Sequence, residues 1–329
     1  MASFKAEPSG QTVTLGQKLK QGGEGAIHTV EGMPGVVAKL YSKPLQTQKI
    51  LKLQAMVGGA SDKLMKFAAW PQELLLDSSS EVKGFLMPRV DTSREDVHVL
   101  YSPKSRVASF PDVDFRFLSR VATNVTRAFA AIHESGHVIG DINHGHMLVG
   151  KDATVVLIDV DSFQVEIDGT TFTCDVGAPL FTPPELQGKS SYVGLHRTPE
   201  HDAFGLAVIL FQLLFMGRHP FGVKWDGPDD MPIPKAIKEG HFAYGSRSKS
   251  VHAQQPPGTL DLQTFGPYIA TLFENSFEPD FAFADERPRA QQWIPHLEAL
   301  ENSLIRCGAS SNHYYPKTAA PDCPWCSLE

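Results

Sequence analysis

Three glycines in four positions, Gly22-Gly23-Glu24-Gly25, lie between two strand-like runs, and Lys39 follows fourteen residues after the last of them. A backbone without Cβ atoms can approach phosphate oxygens closely. A lysine on the neighbouring strand, here in Val37-Ala38-Lys39, can reach the α- and β-phosphates of a nucleotide. Such a cluster alone is equally well explained as a hairpin turn; the lysine at this distance favours phosphate.

A second group sits near the other end, where Cys307, His313, Cys323 and Cys326 offer four soft donors in the pattern C-x5-H-x9-C-x2-C. Tetrahedral Zn²⁺ takes four such ligands, and a C-x-x-C turn supplies two from one tight loop. The competing reading of Cys323-Pro324-Trp325-Cys326 is a thioredoxin-like redox pair. That chemistry needs a helix after the first cysteine, and few residues remain to build one. Structural zinc is the favoured reading, its job to fold a short tail that cannot bury a core alone. The remaining cysteine, Cys174, is isolated, so nothing resembles a disulfide framework and a reducing compartment, the cytoplasm, is expected.

Positioning these groups requires a β-rich segment followed by a helical one. Val13 to Leu19, Ile27 to Val30 and Val36 to Tyr41 read as antiparallel strands, Gln46 to Val57 as a helix, and Glu73 to Leu76 and Gly84 to Val90 as two more strands. The β-rich part thus spans roughly residues 12 to 90, with one helix. Phe117, Val121, Val125, Phe129 and Ile132 recur at helical spacing, ending near Gly136. Ala203 to Met216 is apolar on every side, as a central buried helix is, with Asp202 a candidate N-cap. Residues 222 to 262 read as a loop-dominated insert, and Gln291 to Ile305 as a last helix. With 329 residues, more than one small core is expected.

A net charge of −7 argues against nucleic acid as the main partner. Met1 to Gly10 lacks the apolar run of a signal peptide, and the longest apolar stretch, Ala203 to Gly217, is too short to span a bilayer, so no membrane association is expected.

Asp141 and Asp159 stand eighteen residues apart, in Val138-Ile139-Gly140-Asp141-Ile142-Asn143 and Leu157-Ile158-Asp159-Val160-Asp161. Taken alone, two such acids could equally be solvated loop residues. With their frame they resemble the eukaryotic-type protein kinase superfamily. That resemblance implies an α+β, bilobal protein-kinase fold: a small antiparallel β lobe with one helix (residues 1–90), a larger mainly helical lobe (91–305), and a C-terminal zinc knuckle (306–329). It implies that Asp141 orients the acceptor hydroxyl and takes its proton, and that Asp159 holds Mg²⁺ or Mn²⁺ against the phosphates of ATP. Further matches follow in order. Gly177 to Glu185 resembles the end of an activation segment, with Glu185 pairing Arg287. Asp202-Ala203-Phe204-Gly205 resembles the start of the central helix, whose Asp braces the catalytic loop. Leu86 to Val90 falls at the hinge, implying Met87 as gatekeeper and Val90 as the backbone partner of adenine. Leu19, Gly22, Gly23, Gly25 and Lys39 would line the phosphate side, and Ile27, Val37 and Leu148 would sandwich the ring.

The pattern also departs from that superfamily. Lys20 stands at the first loop glycine. No glutamate occurs between Glu31 and Glu73, so the helix partner of Lys39 is missing, with Gln48 or Gln54 as uncharged substitutes. Asn143 replaces the catalytic-loop lysine, His146 the metal-binding asparagine and Ala178 a threonine. Asp161 replaces the glycine of the metal motif and is expected to supply a carboxylate oxygen to the metal. Gly140 replaces the arginine that answers a phosphorylated activation loop, for which Thr170, Thr171, Thr173 and Thr182 are candidate sites.

Trp70-Pro71, Gly84-Phe85-Leu86-Met87-Pro88, Gly140-Asp141-Ile142-Asn143, Asp159-Val160-Asp161-Ser162-Phe163 and the Cys-Pro-Trp-Cys tail narrow the resemblance to bacterial kinases of the TerY-phosphorylation triad. Such kinases are encoded with a von Willebrand A-type protein and a metal-dependent protein phosphatase, near tellurite-resistance and stress genes, so those partners are implied. The expected activity is Ser/Thr (or dual-specificity) protein phosphorylation, and the alternative is a nucleotide-binding pseudokinase scaffold.

Overall fold

The computed structural model describes residues 2–277 and 286–328. Six strands, β1 (Ser3–Glu7), β2 (Thr12–Gln21), β3 (Gly25–Val30), β4 (Val36–Tyr41), β5 (Glu73–Leu76) and β6 (Val82–Pro88), close into a barrel in the order β1-β2-β3-β4-β6-β5. Alternation puts Ala6, Val13, Leu15, Val30, Ala38, Leu75 and Leu86 in a common apolar interior. β1 was not expected; it pairs with β2 on one side and with β5 on the other, Ala6 opposite Leu75. Between β4 and β5 lie two helices rather than the single one expected, α1 (Thr47–Gly58) and α2 (Asp62–Phe67). The hydroxyl of Ser61 accepts from Leu64 N at 3.3 Å and caps α2, a helix too short to announce itself by periodicity.

The rest is mainly helical: α3 (Pro103–Ser109), α4 (Phe115–Glu134), α5 (Pro199–Leu214), α6 (Ile233–Lys238), α7 (Pro267–Phe277) and α8 (Ala290–Ser303). α4 buries Val121, Val125, Phe129 and Ile132 of the expected stripe, while Phe117 is half-buried and its neighbour Leu118 takes the inward position. α5 is buried throughout from Asp202 to Leu214, as an all-round apolar helix must be. It starts earlier than the sequence suggested. Thr198 caps it, and Asp202 is an interior residue whose carboxylate is used elsewhere. Short strands β7 (Glu95–Asp96), β8 (Met147–Val149) and β9 (Val155–Leu157) make a small sheet that carries the two acid-bearing loops. β10 (Val165–Ile167) pairs with β11 (Thr170–Phe172), and β12 (Leu304–Arg306) with β13 (Tyr314–Pro316). Arg287 Nη1 and Nη2 donate to the two oxygens of Glu185 at 2.5 and 2.8 Å, the expected pair. Among the described residues, no helix is long and apolar enough to cross a membrane.

Two buried histidines tie this core to acid stability. His137 stacks on Trp70 (5.1 Å between centroids), and His219 lies against the carbonyl of Leu180 (3.0 Å). Burial pushes each down to about 4 from the ordinary 6.5. A folded pKa below the unfolded one means that the unfolded chain binds the extra proton between pH 6.5 and 4. Stability is therefore lost as pH falls through that window, by about 2–3 kcal/mol per histidine. Urea unfolding of His137→Gln across pH 4–7 should show a shallower loss than the parent; parallel curves would refute the assignment.

Candidate active site

Lys39 leaves the middle of β4, opposite Ile27 on β3 and Phe85 on β6, so its stem is walled by the barrel. The glycine-rich turn folds back on itself through Gly22 N to Gly25 O (2.8 Å), and Glu24 at its tip comes within 3.9 Å of the Lys39 ammonium. Gly25 owes its identity to sheet packing: a Cβ there would meet the Leu40 carbonyl at 2.0 Å. Gly22 and Gly23 are exposed, and a Cβ on either would meet nothing closer than 3.7 Å, so they leave an open backbone at the turn. Leu19 lies exposed on β2, two residues before its end. Val37 on β4 pairs with Met87 on β6, Val90 lies two residues beyond β6, and Leu148 sits half-buried on β8.

The catalytic-loop candidate, Ile139 to His146, is pinned from below by α5. The Asp202 carboxylate accepts from Ile139 N (2.6 Å) and Gly140 N (2.9 Å) and contacts His133 Nε2 (3.0 Å). This is the bracing role that the resemblance implied. His146 bridges the two acids: Nδ1 is 3.8 Å from Asp141 Oδ2 and Nε2 is 3.7 Å from Asp159 Oδ2. Asp159 adopts a left-handed conformation (φ 54°), its half-exposed carboxylate lying beside Lys39 and His146. Burial raises Asp141 above the usual carboxylate value, with His146 and Arg197 pulling the other way. Asn143 Oδ1 accepts from Gly145 N at 2.9 Å and caps the turn that follows.

Asp161 is placed differently from the metal ligand that was expected. It is 2 % exposed and both oxygens are engaged: Oδ1 with Lys39 Nζ (2.7 Å), Oδ2 with Tyr41 OH (2.6 Å) and Lys49 Nζ (2.9 Å). Burial alone would raise its pKa, but Lys39 and Lys49 hold it well below the usual carboxylate range. Burial also pulls Lys39 down, and Asp161 with Asp159 more than reverses this, so its pKa is raised and the ammonium stays charged. Neither Gln48 nor Gln54 is the partner of Lys39. Lys39 also lies 3.4 Å from Asp159 Oδ1, which joins the barrel to the acid-bearing loop.

Arg197, which the sequence did not single out, joins two segments of the site. It is 3 % exposed, donates from Nη1 to the carbonyl of Gly140 and from Nη2 to that of Val176 (2.5 Å), and stacks on Tyr192. It ties the segment around Val176 to the loop around Gly140. Gly140 makes room: its φ is +72°, and a Cβ would lie 2.8 Å from Cys174 Cβ. Arg197→Met should lower turnover by about 100-fold and stability by about 1 kcal/mol, because the carbonyl of half-buried Gly140 loses its side-chain donor and that of exposed Val176 keeps only the weak Cys174 thiol. Arg197→Lys, reaching one carbonyl at best, should fall between. Steady-state rates and denaturation of the three proteins check this, and a fully active Arg197→Met would contradict it.

At the far end, Cys307, His313, Cys323 and Cys326 place one donor atom each within 4.8 Å of one another. The separations Cys307 Sγ–Cys326 Sγ (3.7 Å), Cys323 Sγ–His313 Nδ1 (3.7 Å) and Cys326 Sγ–His313 Nδ1 (3.4 Å) match tetrahedron edges. For bonds near 2.3 Å that edge is about 3.8 Å. Ala309 N donates to Cys307 Sγ at 3.3 Å, a bond that favours thiolate. These donors fit Zn²⁺. The cluster fastens the tail, and Trp325 between its cysteines packs on Phe115 (4.9 Å) and Phe265 (6.4 Å).

No protein-family model matches the chain. It is 40 % identical over 323 residues to a protein named protein kinase YegI from Escherichia coli K12, covering 98 % of this chain but 49 % of that one. The O157:H7 counterpart is 39 % identical over the same length. The chain thus spans about half the length of these relatives. A weaker match, 26 % identical over 45 % of the chain, is to the serine/threonine-protein kinase kin-29 of Caenorhabditis briggsae. A rhoptry kinase structure from Toxoplasma gondii overlays 92 % of this chain and 82 % of its own at TM-score 0.57 and 16 % identity. The ROP18 kinase domain with AMP-PNP and sucrose overlays 92 % at 0.56. Spread over nearly all of the chain, that overlay shows that it has the protein-kinase fold.

Proposed function

We propose that the chain is an ATP-dependent protein kinase that transfers the γ-phosphoryl group to serine or threonine hydroxyls of partner proteins, tyrosine being the alternative acceptor. The observation that carries it is that Asp141 and Asp159 meet at His146 and Lys39 reaches Asp159, although Lys39, Asp141 and Asp159 come from three separate segments. On this reading residues 1–90 and 91–305 are the two lobes flanking the nucleotide, and 306–329 is a zinc-folded tail in a cytoplasmic protein. The barrel residues Leu19, Gly22, Gly23, Gly25, Ile27 and Val37, with Met87, Val90 and Leu148, enclose the nucleotide.

Asp141 accepts a hydrogen bond from the acceptor hydroxyl and takes its proton as the bond to phosphorus forms; its raised pKa suits a base better than an ordinary carboxylate would. Lys39 neutralises the nucleotide's phosphate oxygens. A divalent cation supplies charge neutralisation of the transferring phosphoryl group. The half-exposed Asp159 carboxylate and the imidazole of His146 are the donors that fit it. A neutral imidazole in that pair suits Mn²⁺ better than Mg²⁺. The family resemblance adds a von Willebrand A-type protein and a metal-dependent protein phosphatase as partners in bacterial stress signalling.

A second reading, a nucleotide-binding scaffold without turnover, is favoured by Asn143, whose side chain caps a turn where a phosphate-contacting lysine would help. Transfer from radiolabelled ATP, with Mg²⁺ and with Mn²⁺, to the chain itself and to the two implied partners separates these. Incorporation abolished by Asp141→Asn supports the kinase; nucleotide binding without incorporation under any condition leaves the scaffold.

A further inference from the structure

We infer that Asp161 is the positioning residue for Lys39 and, through Lys49, the anchor that couples helix α1 to the site. This inference rests on the phosphotransfer reading for its kinetic part. In the arrangement that the family resemblance led us to expect, the acid is on the helix and the helix reaches the lysine. Here the polarity is inverted: the acid is in the metal-motif loop and the helix contributes cations.

Three observations converge. First, Asp161 holds Lys39 at 2.7 Å from a loop position two residues after Asp159, so the lysine's place is fixed by the same turn that presents the candidate metal ligand. Second, α1 approaches that turn with two lysines three residues apart on one face. Lys49 Nζ donates to both the backbone oxygen and Oδ2 of Asp161 at 2.9 Å. Lys52 Nζ donates to the carbonyls of Ser162 (3.1 Å) and Thr173 (3.3 Å). Third, Lys49 occupies the first turn of α1, which holds no acidic residue. A cation there opposes the helix dipole, and the contact with Asp161 offsets that cost. Burial and the neighbouring Lys49 push Lys52 down to about 8, the sign of cations crowded onto one small acidic turn. Tyr41 completes the arrangement by donating to Asp161 Oδ2 at 2.6 Å. With both oxygens engaged, Asp161 acts on the reaction by holding Lys39, not by holding metal.

The test compares Asp161→Asn, Asp161→Glu and Lys49→Met with the parent chain. Asp161→Asn should lower kcat by about 100-fold, since a misplaced lysine loses transition-state contacts, while the half-saturating Mg²⁺ or Mn²⁺ stays within about twofold. Asp161→Glu should recover part of the loss. Lys49→Met, removing one arm at a partly exposed site, should cost about tenfold in kcat with metal dependence unchanged. Independently of turnover, amide hydrogen exchange across α1 should quicken in both Asp161→Asn and Lys49→Met. Undiminished transfer by Asp161→Asn, or a half-saturating metal concentration raised by about tenfold or more, overturns the inference and leaves the kinase reading standing. If the parent transfers nothing, the kinase reading fails, and the exchange data alone decide the anchor: faster α1 exchange supports it, unchanged exchange refutes it.

Discussion

Asp159→Asn is expected to reduce phosphoryl transfer by about 1,000-fold without unfolding the chain. The size follows from position. Its carboxylate is half-exposed and is not needed to hold its neighbours: Lys39 is held chiefly by Asp161, and Ser162 Oγ donates to the backbone carbonyl of Asp159, not to its side chain. Asparagine is the informative replacement because it tolerates the left-handed backbone at φ 54°, whereas alanine would add strain to the loss of charge. AMP-PNP affinity measured with and without divalent cation gives the second half of the result. Nucleotide alone should bind the variant as well as the parent, and the gain from adding metal should be lost. Transfer within tenfold of the parent would show that another group holds the cation and would sink the assignment.

Removing zinc is expected to have the next largest effect, this time on the fold. Cys323→Ser with Cys326→Ser should abolish binding of one zinc per chain, read by elemental analysis, and release Trp325 from Phe115 and Phe265. Losing a buried tryptophan contact costs about 3 kcal/mol, or about 5 °C in Tm for a chain of this size. Hydrogen exchange should quicken across β12, β13 and the following tail while α5 stays protected. The active site lies far from this tail in sequence, so turnover per folded molecule should hold. A protein that carries no zinc as isolated, with Cys323 and Cys326 readily oxidised to a disulfide, would instead return the redox reading.

What the sequence revealed and what it hid follow a physical line. Periodic burial was legible: α4 and α5 each carry the pattern their surroundings demand, and the strands from β2 to β6 alternate or run apolar as expected. The two acids were legible because loop chemistry is local, packed into short stretches around Asp141 and Asp159. Contacts that close over long separations were not. β1 pairs with β5 across some seventy residues, and neither partner announces the other. The Lys39–Asp161 bond joins residues 122 apart, which left Gln48 or Gln54 as the suggested stand-ins for the missing helix glutamate and Asp161 assigned to metal. One hint was present: a lysine in the first turn of α1, where helices prefer acids. Arg197 left only an indirect trace, the glycine at 140 whose side-chain space it borders.

The closure of the barrel has a bearing on how this part of the molecule meets other proteins. An open sheet ends in a strand with unpaired amides and carbonyls, a standing invitation to annex a strand from a neighbour. Here five residues, Ser3 to Glu7, fill that vacancy from within the chain. With no edge left over, a partner cannot bind the barrel by lengthening its sheet and has to recognise its side chains. Trimming those five residues would reopen the seam between β2 and β5, turning a sealed surface into an adhesive one.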